Sequence, residues 1–177
     1  MIARIRPTTH ADLPEVMNIY AFAQGFMHRS GNPTQWPPGY PSAEHVAKDI
    51  DAAHSFVCEN ENGEIVATFC FILGDDPTYA RIYEGAWLNR APYGTVHRLA
   101  SAGKEKGVAE ACFRWCFAHC PNIRVDTHRD NRVMQHLFQK LGFTYCGIIY
   151  VANGTPRMAY QRTTENNKSG NTASLLQ

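Results

Sequence analysis

The sequence lacks a charge excess of either sign and a long hydrophobic run. Its 17 Lys and Arg against 16 Asp and Glu leave a formal net charge of +1. The net charge therefore does not favour nucleic acid, an anionic membrane or an acidic substrate as a partner. No apolar run is long enough to span a bilayer, and the first residues have no apolar core of signal-peptide length. We therefore expect a cytoplasmic protein that binds neither nucleic acid nor membrane.

The sequence also lacks a metal-binding cysteine pattern. Six cysteines are present, but they form no CxxC pair and no Cys/His block at zinc-ligand spacing. Cys112, Cys116 and Cys120 recur every fourth residue, which places them on one face of a helix. The pattern predicts buried, reduced thiols that act as small apolar side chains, and no metal site.

The order of the local patterns predicts an α/β fold. Strand-like and helix-like segments alternate in the order strand, helix, helix, hairpin, strand, helix, strand, helix, strand, strand, which is typical of a mixed sheet with helices on its faces. The second helix is predicted from Ser42 to about Ala53. We expect one domain over residues 1–162. Residues 163–177 are mostly small and polar, which predicts a flexible tail. The alternative is that Leu175 and Leu176 dock across a homodimer interface.

The segment "AGKEKGVAEAC" places a glycine-rich turn between a strand and a helix. Gly103 and Gly107 bracket Lys104 and Lys106. Backbone N–H groups at such a junction, the helix dipole and two ammonium groups would hold a phosphate. The alternative is a plain solvated turn, because Gly and Lys are common in such turns.

Two polar features stand out beside this turn. His97 lies on the preceding strand; if Val96 faces the core side, His97 faces the opposite side, where an imidazole could accept a proton or serve a structural role. In "THRDNRVMQHLFQKLGF", Asp130 or Asn131 would cap a helix. Capping does not require His128 and Arg129 as well, so this polar cluster suggests a site.

The ordered set "HRLAS…GKEKGVAEACFRWC…IRVDTHRDNRVMQHLFQKLGF…GIIY" resembles the GNAT family of N-acetyltransferases, from about Ile2 to Gln161. The resemblance implies a mixed, mostly antiparallel central sheet of about seven strands with helices on both faces. It also implies acetyl-CoA as cosubstrate and no metal. Lys104, Gly107 and Ala109 match the family's pyrophosphate loop, although Lys at the first place is a departure. The residues expected at the cofactor are Leu99, Ser101, Lys104, Glu105, Lys106, Gly107, Val108, Ala109, Asn131 and Phe138.

Particular roles follow from the same resemblance. Asn131 matches an asparagine that reaches the pantetheine arm. Phe138 stands where many members carry a tyrosine that protonates the leaving thiolate, and a phenyl ring has no proton to give. "HRLA" is similar to the strand of arylalkylamine acetyltransferases that bears a histidine base, so His97 is the expected catalytic base. Backbone N–H groups near Leu99 and Ser101 are expected to orient the acetyl oxygen.

The resemblance implies direct acetyl transfer in a ternary complex, and we expect the acceptor to be a primary amine of a small molecule. Aromatic and amide side chains are the expected acceptor contacts: Asn32, Gln35, Trp36, Tyr40, Trp87 and Tyr93. Any of these aromatics could instead only pin a proline-rich loop. Two alternatives stay open, namely a domain that binds acyl-CoA without turnover, favoured by Phe138, and an enzyme acting on a protein or peptide amine.

Overall fold

A computed structural model describes residues 1–164 of the chain. Its strands are β1 (Ile2–Pro7), β2 (Ser55–Asn60), β3 (Ile65–Leu73), β4 (Gly94–Ser101), β5 (Asn122–Thr127), β6 (Thr144–Tyr150) and β7 (Pro156–Thr163). Its α-helices are α1 (Leu13–Arg29), α2 (Ala43–Asp51), α3 (Val108–His119) and α4 (Arg132–Lys140). Short 3-10 turns span His10–Asp12 and Pro77–Tyr79. Among these residues, no helix is long and apolar enough to cross a membrane.

The seven strands form one sheet in the order β1-β2-β3-β4-β5-β7-β6. Every neighbouring pair is antiparallel except β4 and β5, which are parallel. The prediction of a mixed, mostly antiparallel seven-stranded sheet is therefore confirmed.

Local sequence signals set several element boundaries. Gly63 has a φ of 77° in the turn between β2 and β3, a conformation that glycine adopts without a Cβ penalty. The Ser42 side chain accepts a hydrogen bond from the backbone N–H of His45, so α2 begins one residue after its predicted cap. Gly142, with a φ of 76°, follows the end of α4.

Apolar side chains cover both faces of the sheet. On one face, α3 and α4 pack through residues that include Phe113 and Phe138. On the other face, α1 and α2 pack through residues that include Val16 and Val46, and a smaller cluster surrounds Tyr79. Helices thus lie on both faces, as expected. The three cysteines spaced along α3 and its end, Cys112, Cys116 and Cys120, are free and buried, which confirms their predicted role.

The last strand ends next to the predicted domain boundary. Strand β7 continues to Thr163, and the N–H of Thr164 donates to the carbonyl of Pro121 over 2.8 Å. Residues 165–177, including Leu175 and Leu176, lie outside the described part of the chain. The flexible tail and the homodimer contact therefore stay predictions.

Candidate active site

The sheet opens between its two parallel strands. Strands β4 and β5 pair only at Gly94 with Ile123 and at Thr95 with Arg124, and no pairing between them follows. On its other edge β4 carries a bulge, because β3 pairs Cys70 with His97 and Thr68 with Ala100, so Phe69 alone faces two residues of β4. Arg98, in this bulge, has a φ of 51°. The opening and the bulge together shape a cleft at the centre of the sheet.

A cavity of about 720 Å³ lies along this opening. This volume is in the range of small-molecule and cofactor sites. It is lined by many of the predicted site residues, namely Gln35, Trp36, Tyr40, His97, Leu99, Ser101, Val108, Ala109, Asn131 and Phe138. The cavity therefore joins the expected cofactor and acceptor residues in one continuous space.

One end of the cavity is the glycine turn before α3. Gly103 and Gly107 have φ angles of 71° and 70°, and a Cβ built on Gly107 would meet no atom within 4 Å. Among residues 1–164, no side chain caps the N-terminus of α3. Lys104 and Lys106 are exposed at this turn without lining the cavity. An open backbone surface, free helix N–H groups and two ammonium groups fit a bound phosphate.

Glu105, in the same turn, points toward the chain's N-terminus. Its carboxylate accepts a hydrogen bond from the Met1 ammonium over 2.7 Å. That hydrogen bond lowers the pKa of Glu105. The carboxylate is thus engaged elsewhere, and the structure gives its side chain no place in the cavity lining.

Helix α4 contributes Asn131 and Phe138 to the cavity wall. The Asn131 Oδ1 accepts from the N–H of Met134 over 3.1 Å, which makes Asn131 the helix cap. Its Nδ2 donates to Gln35 Oε1 over 2.9 Å. Phe138 is buried among Phe113, Phe143 and Tyr160, so no proton donor stands at its position. Much of the polar cluster before α4 thus serves to cap the helix and to hold Gln35.

His97 is paired with an acidic residue that the sequence reading missed. Val96 packs with the α3 face, whereas His97 faces the opposite side, next to the ring of Tyr79. Its Nε2 lies 2.8 Å from Asp76 Oδ2. Asp76 Oδ1 accepts from both the N–H and the hydroxyl of Thr78, at 2.8 and 2.7 Å. The carboxylate therefore fixes one ring nitrogen of His97, and the other has no hydrogen-bond partner in the part of the chain that the structure describes.

The Asp76 carboxyl stays ionised well into the acid range. Burial by itself raises the pKa of Asp76, but the hydrogen bonds from His97 and Thr78 outweigh it and lower the pKa to about 2. Asp76 thus carries a stable negative charge beside the imidazole.

A second group of contacting polar side chains lies at the cavity wall. The Tyr79 hydroxyl donates to Asp126 Oδ1 over 2.6 Å, and burial is the main reason that the pKa of Tyr79 is raised. Asp126 Oδ2 lies 4.0 Å from Arg157 Nε. The one weak signal for Asp126 in the sequence was a carboxylate near the end of the predicted strand "IRVDT". Nothing local marked Arg157.

The proline-rich loop contributes Gln35 to the cavity lining. Asn32 donates to Gln35 Oε1 over 2.8 Å, and Arg157 donates to the Gln35 backbone oxygen over 3.0 Å. Trp36 and Tyr40 line the cavity beside it, and the Tyr40 hydroxyl accepts from Arg98 over 2.8 Å. Asn32 itself is buried and does not line the cavity. It therefore supports Gln35 from behind.

Two of the expected acceptor contacts, Trp87 and Tyr93, lie outside the cavity lining. Both rings pack on Arg124, with its guanidinium carbon 4.3 and 4.0 Å from their centres. The Tyr93 hydroxyl accepts from the backbone N–H of Asp76 over 2.8 Å. Their place is therefore behind the site, where Tyr93 supports the Asp76 segment.

Helix α1 supplies aromatic residues that the sequence reading did not assign to the site. Phe22 and Phe26 line the cavity although each is 47% exposed. A Cβ on Gly103 would lie only 2.8 Å from the Phe22 ring. The available signal was their spacing, since two phenylalanines four residues apart lie on the same face of a helix.

The sequence matches the model of the acetyltransferase (GNAT) family over residues 25–143. The chain belongs to the GNAT family. The match spans more than half of the chain and includes β4, the glycine turn and α4. The protein is therefore an enzyme, an N-acetyltransferase.

Solved GNAT structures share the fold. A GNAT-family acetyltransferase from Streptococcus agalactiae is 29% identical, with a TM-score of 0.83 over 94% of this chain and 99% of that chain. A phosphinothricin acetyltransferase from Sinorhizobium meliloti, solved with AcCoA, is 15% identical, with a TM-score of 0.62 over 99% of this chain and 96% of that chain. No match was found among curated proteins.

Proposed function

We propose that this GNAT enzyme transfers the acetyl group of acetyl-CoA to the primary amine of a small molecule, by direct transfer in a ternary complex. The observation that carries the proposal is the pairing of His97 with Asp76 in the same cavity as the glycine turn. An amine must lose a proton before its lone pair can attack an acyl carbon, and a histidine held by a carboxylate suits that step.

The residues present fit acetyl-CoA. Gly107 offers open space where a phosphate can approach the backbone, and Lys104 and Lys106 add positive charge. Val108, Ala109, Asn131 and Phe138 would border the pantetheine arm. When bound, acetyl-CoA supplies an activated acetyl thioester.

The protein's own groups then position and deprotonate the acceptor. If Nε2 of His97 carries the proton shared with Asp76, its Nδ1 holds the lone pair that accepts the amine proton. The resulting imidazolium is stabilised by the Asp76 carboxylate. Backbone N–H groups near Leu99 and Ser101 lie along the unpaired part of β4 and are the proposed contacts of the acetyl oxygen. Because Phe138 has no proton, another group must protonate the thiolate.

The charges of the acceptor end favour an amine that arrives as an ammonium ion. Arg98 pairs with Asp49, whereas the Asp76 carboxylate lines the cavity beside His97. Trp36 and Tyr40 add aromatic walls that favour cations and apolar substituents. This confined space supports a small molecule over a protein or peptide amine.

A thiol-release assay tests the proposal. The enzyme is incubated with acetyl-CoA and a panel of small primary amines, a folded protein mixture and short peptides, with a control that lacks any acceptor. We expect release that depends on at least one small amine, together with its acetylated product by mass spectrometry. Release only with peptides or proteins would contradict the small-molecule acceptor.

A further inference from the structure

Gln35 has an unusual distribution of hydrogen bonds. Its Oε1 accepts from Asn32 Nδ2 at 2.8 Å, from Asn131 Nδ2 at 2.9 Å and from Thr127 Oγ1 at 3.5 Å. Its Nε2, by contrast, has no hydrogen-bond partner in residues 1–164. Because donors surround the oxygen, the amide cannot flip without placing N–H groups against N–H groups. Gln35 therefore presents a fixed pair of donors at the cavity wall.

Arg157 lines the cavity next to Gln35. Its Nη2 donates to the Gln35 backbone oxygen over 3.0 Å, and its Nη1 donates to the carbonyl of Pro156 over 3.2 Å. Asp126 is the nearest carboxylate, and 4.0 Å is too long for a hydrogen bond. The guanidinium is thus a cavity-lining cation, only 7% exposed, without a hydrogen bond to a carboxylate among the described residues.

This arrangement leaves the positive charge of Arg157 incompletely compensated. Burial is the main cause of the lowered pKa of Arg157, and Asp126 offsets it only in part. A buried cation with free N–H groups next to a free amide donor is suited to an anionic oxygen, above all the planar oxygens of a carboxylate.

The position of His97 limits where the amine of such a ligand would lie. Tyr79 lies behind the cavity wall between the two sites: its ring is 6.1 Å from the His97 ring, and its hydroxyl contacts Asp126, the neighbour of Arg157. An acceptor that reaches both His97 and Gln35 must therefore span the width of a tyrosine side chain. Its amine and its carboxylate must be several bonds apart.

Building on the proposed function, we infer that the acceptor is a primary amine with a carboxylate several bonds from its nitrogen, and that Gln35 Nε2 and Arg157 bind this carboxylate. Gln35 is then a specificity-determining residue, whereas Asn32, Thr127 and Asn131 are the positioning residues that fix its amide.

A matched series of acceptors tests the inference on the wild-type enzyme. Unbranched ω-amino acids with two to six carbons are compared with alkylamines of the same chain length, in the thiol-release assay. We expect kcat/KM for the best ω-amino acid to exceed that of its matched alkylamine at least tenfold, as for loss of one hydrogen bond to a charged group. Equal or better rates with the alkylamine at every length would overturn the inference.

A charge-reversing variant locates the effect. Gln35→Glu keeps an oxygen for the three donors but replaces the free N–H groups by a carboxylate. We expect it to abolish the preference for the ω-amino acid, measured as the ratio of kcat/KM for the ω-amino acid to kcat/KM for its matched alkylamine. Gln139→Glu adds the same charge at an exposed position of α4 and should keep the preference. A preference that survives Gln35→Glu would assign the carboxylate to another site.

The outcomes separate the two proposals. Release with alkylamines alone would remove the carboxylate site and leave the acetyltransferase function in place. No release with any amine of either series or of the wider panel would remove the small-molecule function and the inference together. Loss of thermal stability in Gln35→Glu would not affect the comparison made on the wild-type enzyme.

Discussion

The two ends of the cavity offer a ligand different kinds of contact, backbone at one end and side chains at the other. At the cofactor end, the contacts available to a ligand come from backbone, with Gly103 and Gly107 in left-handed conformations and two lysines exposed beside them. At the acceptor end, buried side chains hold one another in fixed positions, as in the pair His97 and Asp76. A backbone site depends on the conformation of few residues, whereas a side-chain network depends on all of its members.

The difference predicts how each end responds to substitution. Changes at the cofactor end should alter acetyl-CoA affinity and leave the chemistry of bound complexes intact. Changes at the acceptor end should alter rates and acceptor preference while acetyl-CoA binds normally. Neighbouring changes at the acceptor end should also be non-additive, because these side chains share partners.

The largest effect is expected for His97→Ala. Removal of the base should lower kcat/KM by about 10²- to 10³-fold, with acetyl-CoA affinity nearly unchanged, and should flatten the limb of the pH–rate profile that deprotonation of the imidazole produces. Steady-state kinetics across pH with two amines of different basicity provide the measurement. His136→Ala, at an exposed position of α4, is the control. An inflection that moves with the amine, together with a near-normal rate for His97→Ala, would make His97 a structural residue.

Gly107→Val should weaken acetyl-CoA binding by about a hundredfold. The new side chain would occupy the space where phosphate approaches the backbone, and its branched Cβ opposes a φ of 70°. Isothermal titration measures the dissociation constant. Gly63→Val carries a similar conformational cost at a φ of 77° in the β2–β3 turn and serves as control. Equal affinity in the Gly107 variant and the wild type would mean that phosphate binds elsewhere.

Asp76→Asn should reduce stability at neutral pH by about 2 kcal/mol. The folded pKa of Asp76 is about 2, below its ordinary value of 3.8. A lowered carboxyl pKa stabilises the fold above the unfolded value, and this contribution disappears as pH falls from about 4 to about 2. Urea unfolding of both proteins at pH 6 and pH 2.5 should show a difference that shrinks at the lower pH. A constant difference would point to lost packing.

Lys104→Ala and Lys106→Ala should have the smallest effects, a severalfold loss of acetyl-CoA affinity each. Both ammonium groups are exposed, so their attraction for phosphate is screened by salt. Titrations at low and high ionic strength should show the loss shrinking as salt is added. A loss that does not depend on salt would indicate a change in the shape of the turn.

The sequence predicted the cofactor end better than the acceptor end, for a physical reason. The glycine turn, the cap at Asn131 and the outward face of His97 follow from local backbone rules. Asp76 and Arg157 reach the cavity only because distant segments meet, and their hydrogen bonds join residues far apart in sequence. Trp87 and Tyr93 were misplaced because aromatic character does not reveal which side of Arg124 a ring covers.

Because β4 and β5 diverge, the sheet has unpaired strand edges inside the molecule. After Thr95 the two strands no longer pair with each other, so backbone amides along the opening lack the protection of a ladder. Beyond residue 95, the β4 amides that point toward the opening should therefore exchange quickly in the free enzyme, whereas those that donate to β3 should stay protected. A ligand that fills the opening would accept hydrogen bonds from these amides. The amides that it protects from exchange would then show which residues it contacts.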